Sequence, residues 1–344
     1  MSKPSRQKAM LGAGLVGATA AAAWLTARRT GQASDQRRAG SESGRPVDVL
    51  GSDGGYRHVR VHGPDGAPTL VLVHCWTGTQ ELWHKQVAEL AGELRVVTYD
   101  HRGHGLSEDA RDDDYSLTAL ARDLDLVLQA AVPDGERPLI VGHSLGAMTL
   151  AAWAEAHRTE VESMIRGAAL LSTGLEALTS DQLVVRQLPG PFGTVRGRIA
   201  DLVLEAPGPL TGLPVPIVKA AVAYAALGPG ASDEDIELTT RMALDCRTKA
   251  RSQVGRAMSR MALLSKLDAL DVPVIVVAGE RDLMTPISHA ERIETALPRS
   301  LGLRVDPDAG HMTPLESPEI VNAALRELVE MTEPAMLAQD DLAA

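Results

Sequence analysis

Five residues, Gly142-His143-Ser144-Leu145-Gly146, join the β-like run 138–141 to the small-residue helical run 147–157. A strand that turns into a helix through Gly-x-Ser-x-Gly lifts one serine hydroxyl clear of a sheet. Glycine is needed on both flanks because the turn has no room for side chains and uses strained backbone angles. The element therefore predicts a projecting nucleophile at Ser144.

The rest of the chain supplies a sheet for that turn. Apolar runs at 56–61, Thr69–Val73, Arg95–Tyr99, 168–171, 272–279 and 301–305 read as strands. Helical spacing separates them, as in 116–131, where Ser116 or Thr118 is a start signal. The pattern predicts an α/β fold with a mainly parallel sheet flanked by helices on both faces. Between 172 and 270 the strand rhythm stops, and helical patches appear at 181–188, 195–204, 215–227 and 233–243. This reads as an inserted helical cap. The expected layout is a first core part at 51–173, the cap at 174–268, a second core part at 269–334 and a tail at 335–344.

Serine attacks a carbonyl only if a base takes its proton, and histidine suits that task because it titrates near neutrality. An aspartate then fixes the imidazole tautomer and stabilises the transient cation. The chain order expected after such an elbow is a carboxylate beyond one strand and a histidine beyond the next. Asp282 follows the run 272–279 and His311 follows the run 301–305. Glu280 is the alternative acid; Asp306 and Asp308 precede His311 in its own loop and read as turn caps. The backbone N–H of Leu145 opens a helix and is placed to stabilise a developing oxyanion.

Four pieces occur in order: Val71-Leu72-Val73-His74-Cys75-Trp76-Thr77-Gly78, Tyr99-Asp100-His101-Arg102-Gly103-His104-Gly105-Leu106-Ser107, the elbow, and the Asp282/His311 pair. On these the chain resembles the α/β-hydrolase fold superfamily, in its broad group of esterases, lipases and related serine hydrolases. The resemblance covers nearly everything after about residue 55. It implies a second oxyanion donor in the loop after Thr69–Val73, the backbone N–H of Trp76. Family members usually carry glycine where this chain has Cys75. The resemblance implies a cofactor-independent serine hydrolase acting through an acyl-enzyme on a carboxylic ester of a small or medium apolar molecule. A thioesterase or a carbon–carbon bond hydrolase would use the same triad. A non-catalytic ligand-binding receptor on the same fold is the reading from outside enzymology.

Other chemistries have little to work with. The segment from Asp100 to Gly105 is glycine-rich but lacks the spacing of a phosphate-binding loop, so Asp100 and Arg102 are expected to anchor loops near Ser144. His74, His101, His104 and His143 each lie inside a motif and are expected to make structural hydrogen bonds; no metal site is expected. A net charge of −11 argues against a nucleic-acid partner, which needs clustered Lys and Arg. Two cysteines cannot form a disulfide framework, and both are expected as free thiols.

The N-terminus has Lys3, Arg6 and Lys8, then nineteen uncharged residues at 9–27, then Arg28 and Arg29. Residues 1–30 read as an uncleaved membrane anchor, with a cleaved secretion signal as the alternative. The stretch 31–50, rich in Ser, Gly and Arg, reads as a flexible linker. The sequence carries no signal of oligomeric state.

Overall fold

Eight strands form one sheet in the computed structural model, which describes residues 43–176, 178 and 214–333. They are β1 (Arg45–Leu50), β2 (Tyr56–His62), β3 (Thr69–Val73), β4 (Arg95–Tyr99), β5 (Leu139–His143), β6 (Gly167–Leu171), β7 (Val274–Gly279) and β8 (Ser300–Asp306). Their spatial order is β1-β2-β4-β3-β5-β6-β7-β8. Strand β2 runs antiparallel to β1 and β4, and every pairing from β4 across to β8 is parallel. This is the mainly parallel sheet that the apolar runs predict.

Residues of β3 to β7 are buried at every position because helices cover both faces. The helices used below are α1 (His84–Leu90), α2 (Leu117–Ala131), α3 (Leu145–Ala156), α4 (Val215–Ala226), α5 (Asp233–Asp245), α6 (Thr248–Ser259), α7 (Ile287–Ala296) and α8 (Pro318–Met331). Alternation along a strand divides the core in two. Val71 and Val73 join Leu124, Trp153 and Ile293 of α2, α3 and α7, whereas Leu70 and Leu72 join Leu90 and Leu328 of α1 and α8. Each such leucine or valine contributes about 1.5–3 kcal/mol by leaving water. Helix α2 begins where its sequence signal stands, with the Ser116 hydroxyl accepting the Ala119 N–H at 3.2 Å.

Strand order decides where a site can form. The chain passes from β3 to β4 on one side and then returns to β5 on the other. At such a reversal the loops leaving the carboxyl ends diverge and leave a crevice. The loop after β3 and the elbow after β5 flank that crevice.

Two expectations change. The stretch expected to be a linker to residue 50 ends in β1, an edge strand paired to β2 around a turn in which Gly54 has φ +75°. Only Val49 of β1 is buried and Val47 half-buried, so the apolar alternation is confined to two positions and too short to mark the strand. Helix α6 was not anticipated, because its buried face includes Arg251 and Gly255, which break the apolar stripe. Arg102 ties down the loop before α2, its Nη1 donating to Asp114 O at 2.7 Å. It donates through Nε and Nη2 to Asp123 of α2 at 2.8 and 2.7 Å, and Arg57 donates to the same carboxylate at 2.7 Å. Asp100 does hold a loop, accepting the N–H groups of Gln80 and Leu106 at 2.8 and 2.9 Å.

The helical patches expected at 181–188 and 195–204, the anchor at 1–30 and the tail at 335–344 lie outside the described residues. Among the described residues no helix is long and apolar enough to cross a membrane.

Candidate active site

Ser144 stands between β5 and α3 with φ +51° and ψ −113°, a conformation that costs an L-residue energy and persists only where its surroundings enforce it. Its N–H donates to Leu171 of β6 at 2.9 Å, and its carbonyl accepts the Thr173 hydroxyl at 3.0 Å. The flanking glycines are steric necessities. A Cβ at Gly146 would lie 2.0 Å from the Val73 carbonyl oxygen, and one at Gly142 would lie 2.4 Å from the Ala147 nitrogen. Gly146→Ala is therefore expected to lower stability by at least about 2 kcal/mol, because the clash is with backbone that cannot rotate away. A urea midpoint equal to that of the unaltered chain would contradict this steric account.

The loop after β7 supplies the carboxylate. Asp282 Oδ1 accepts the N–H groups of Met284 and Thr285, both at 2.8 Å, and Oδ2 accepts the Thr285 hydroxyl at 2.7 Å. His311 Nδ1–H donates to the same Oδ2 at 2.8 Å. Burial pushes the Asp282 carboxyl up, but the neighbouring His311 and the bonds from Thr285 outweigh it and hold the group below the usual carboxylate value. With Nδ1 committed to Asp282, Nε2 of His311 carries the lone pair. Glu280, the alternative acid, is exposed, and its N–H pairs with Asp306 O at 2.8 Å. Asp306 caps its turn as expected, accepting the N–H groups of Asp308 and Ala309.

His311 is gripped from three sides. Its N–H and that of Met312 donate to Ala226 O, at the end of α4. Its carbonyl accepts the Nε2–H of His143 at 2.8 Å. Glu316 accepts the N–H groups of Gly228, Gly310 and Met312 at 2.5, 3.2 and 3.0 Å, which ties the segment after α4 to the His311 loop. Among the described residues no hydrogen bond joins the Ser144 hydroxyl to the imidazole; both groups face one cavity. Contacts of this kind often run long until substrate arrives.

The loop after β3 forms the opposite wall. Cys75 is buried, and its backbone is not in the left-handed region, so the cysteine fits where glycine is usual; Thr77, at φ +59°, makes the turn instead. Burial pushes the Cys75 thiol up to about 12, which leaves it protonated and inert. Cys75 and Cys246 are free thiols. The Trp76 indole N–H donates to Arg251 O of α6 at 2.9 Å. Among the described residues the backbone N–H groups of Trp76 and Leu145 have no hydrogen-bond acceptor. The first position of a helix has no intrahelical partner, which accounts for Leu145.

The motif histidines brace this loop. His74 Nδ1–H donates to Cys75 O at 2.7 Å, His74 Nε2 accepts the His101 N–H at 2.9 Å, and His101 Nε2–H donates to His74 O at 3.1 Å. His104 Nδ1–H donates to Arg102 O at 3.0 Å. Burial, aided by the charges of neighbouring histidines, pushes His101 and His143 down to about 3. The unfolded chain binds those protons near pH 6.5 and the folded chain does not, so stability falls as pH drops from about 6.5 toward 3. The expected loss is about 1.4 kcal/mol per pH unit for each of these histidines. Urea midpoints that stay constant from pH 7 to pH 4 would contradict it.

The shared cavity has a volume of about 450 Å³. Trp76, Ser144, His311 and Thr285 line it together with apolar side chains of α4, α5 and α6. Among the described residues no group of three or more metal-ligating side chains occurs. Sequence reasoning missed Thr285, Thr173 and Glu316. The Asp-x-x-Thr spacing of 282 and 285 is a local turn signal that marks the first; the other two act through the fold and carry no such mark.

Residues 68–215 match the model of a family described as the alpha/beta hydrolase fold. An uncharacterised protein of Mycobacterium tuberculosis is 28% identical, over 84% of this chain and 83% of its own length. A protein named as a candidate carbamate hydrolase of Shigella flexneri is 29% identical, over 75% of this chain and 90% of its own length. Among solved structures, an esterase from a Rhodococcus species superposes with a TM-score of 0.69 at 23% identity, covering 84% of this chain and 99% of that one. That likeness is one of fold.

Proposed function

We propose that the chain is an enzyme of the α/β-hydrolase fold, a serine hydrolase that cleaves a carboxylic ester of a small or medium apolar molecule through an acyl-enzyme. In this reading Ser144 Oγ attacks the ester carbonyl while its proton passes to His311 Nε2. The charge that develops on the carbonyl oxygen meets the N–H groups of Leu145 and Trp76, each worth about 3 kcal/mol to the transition state. Collapse breaks the ester bond, and the leaving alcohol takes the proton from His311. Water, deprotonated by the same nitrogen, then attacks the acyl group and releases the acid and free Ser144. Asp282 holds the imidazole in the required tautomer throughout and does not itself take a proton.

The observation that carries the reading is the hydrogen bond of 2.8 Å from His311 Nδ1 to Asp282 Oδ2, which leaves Nε2 as a base in the wall that Ser144 also lines. The apolar surroundings support an apolar acyl or alcohol group. Thioester and carbon–carbon cleavage would run through the same groups, and a panel of acyl esters and thioesters of graded length separates them.

Treatment with a fluorophosphonate followed by peptide mass spectrometry tests the reading. Stoichiometric label on Ser144 is expected. An unlabelled Ser144 in folded protein would favour a ligand-binding receptor instead. Attachment to a membrane through residues 1–30 remains part of the proposal, and recovery of the full-length chain only from the soluble cytoplasm would overturn it.

A further inference from the structure

We propose that the cavity beside Ser144 selects an aromatic ring in the substrate and holds it with methionine thioethers. The inference rests on reading this cavity as the substrate site. Five of the chain's eleven methionines line it: Met148, Met242, Met258, Met284 and Met312. They come from α3, α5, α6, the loop that carries Asp282 and the loop that carries His311, so methionines reach the cavity wall from three helices and from both loops of the His311–Asp282 pair.

Core packing alone does not explain this placement. Val, Leu, Ile and Ala fill the two core clusters, and the methionines buried among them in the described residues are Met148, Met242, Met258 and Met312. Every one of those four also lines the cavity. Elsewhere in the described interior aliphatic and aromatic side chains fill the core, with Met164 and Met261 only half-buried against it, so the buried methionines are gathered at the wall of this cavity.

Thioether sulfur is polarisable and contacts the edge of an aromatic ring favourably at about 5 Å, whereas a saturated ring of the same size offers it dispersion alone. Each sulfur–ring contact changes affinity by about two- to tenfold. A cavity of about 450 Å³ lies within the usual size of small-molecule sites and holds a ring with several thioethers around it. The unbranched methionine side chain also adapts to a flexible alkyl group, so the discriminating comparison is between an aromatic ring and its saturated counterpart.

The test uses two matched pairs on the full-length protein and on the triple variant Met148→Leu/Met242→Leu/Met258→Leu, an exchange of similar volume that leaves Met284 and Met312 in place. Calorimetry compares benzylacetone, a ketone that cannot be hydrolysed, with its cyclohexyl counterpart. Kinetics compares methyl hydrocinnamate with its cyclohexyl counterpart. Benzylacetone is expected to bind about tenfold more tightly than its counterpart, with the advantage falling to about twofold or less in the triple variant. The ratio of kcat/KM for the two esters is expected to fall in parallel. Equal affinities in the unaltered protein, or a preference that survives all three exchanges, would overturn the proposal. If the ketone preference appears and depends on the methionines while neither ester is turned over, the aromatic site stands and only the ester-hydrolase reading falls.

Discussion

Replacing Ser144 with alanine is expected to lower kcat about a millionfold on any ester the protein turns over. The size follows from the role: without the hydroxyl no acyl-enzyme forms, and what remains is the contribution of the oxyanion donors and of binding. Stability should hardly change. The Ser144 hydroxyl makes no hydrogen bond among the described residues, and the strained elbow is held by its backbone bonds to Leu171 and Thr173. The informative result is thus a lost rate with an unchanged urea midpoint. Activity within tenfold of the unaltered protein would remove Ser144 from the mechanism, and with it the acyl-enzyme.

The second large effect belongs to Asp282→Asn, for which kcat is expected to fall about ten-thousandfold. Asparagine keeps one oxygen to accept the N–H groups of Met284 and Thr285, and the Thr285 hydroxyl can turn to accept from the amide. The altered face is the one toward His311. There an NH2 group replaces an acceptor, so Nδ1 must accept and Nε2 must carry the proton, which leaves no base directed at Ser144. The loss therefore arises from tautomer, with the loop left in position. A variant that kept its thermal midpoint and more than a tenth of its activity would show that the 2.8 Å bond between Asp282 and His311 is structural.

Much of this arrangement is legible in the chain because it depends on local chemistry. The elbow declares itself through two glycines at which any Cβ would collide with the backbone of Val73 or Ala147. The inner strands declare themselves because burial on both faces leaves continuous apolar runs. The hydrogen-bonded pair Asp282 and His311 is legible from the order of the two residues after successive strands. What stays hidden depends on partners distant in sequence. Strand β1 has one buried residue and exists because β2 pairs with it. Arg102 sits in a motif near the serine, yet its direction is set by Asp123 on another helix. Glu316 carries no local mark, and its grip on Gly228, Gly310 and Met312 appears only when α4 and the His311 loop meet. The helices between β6 and β7 show the same limit: α5 begins with Ser232 as its N-cap and an acidic first turn, but α6 is held by packing of a mixed face.

The central claim is that Ser144, His311 and Asp282 act as one unit beside the Leu145 and Trp76 N–H groups. A crystal structure of the protein after reaction with a fluorophosphonate tests it most directly. The account predicts phosphorus bonded to Ser144 Oγ, one phosphoryl oxygen about 2.7–3.1 Å from both backbone nitrogens, and His311 Nε2 within about 3.2 Å of an oxygen on the adduct. An adduct on another residue, or one on Ser144 with its phosphoryl oxygen turned away from Leu145 and Trp76 and with His311 out of reach, would contradict it.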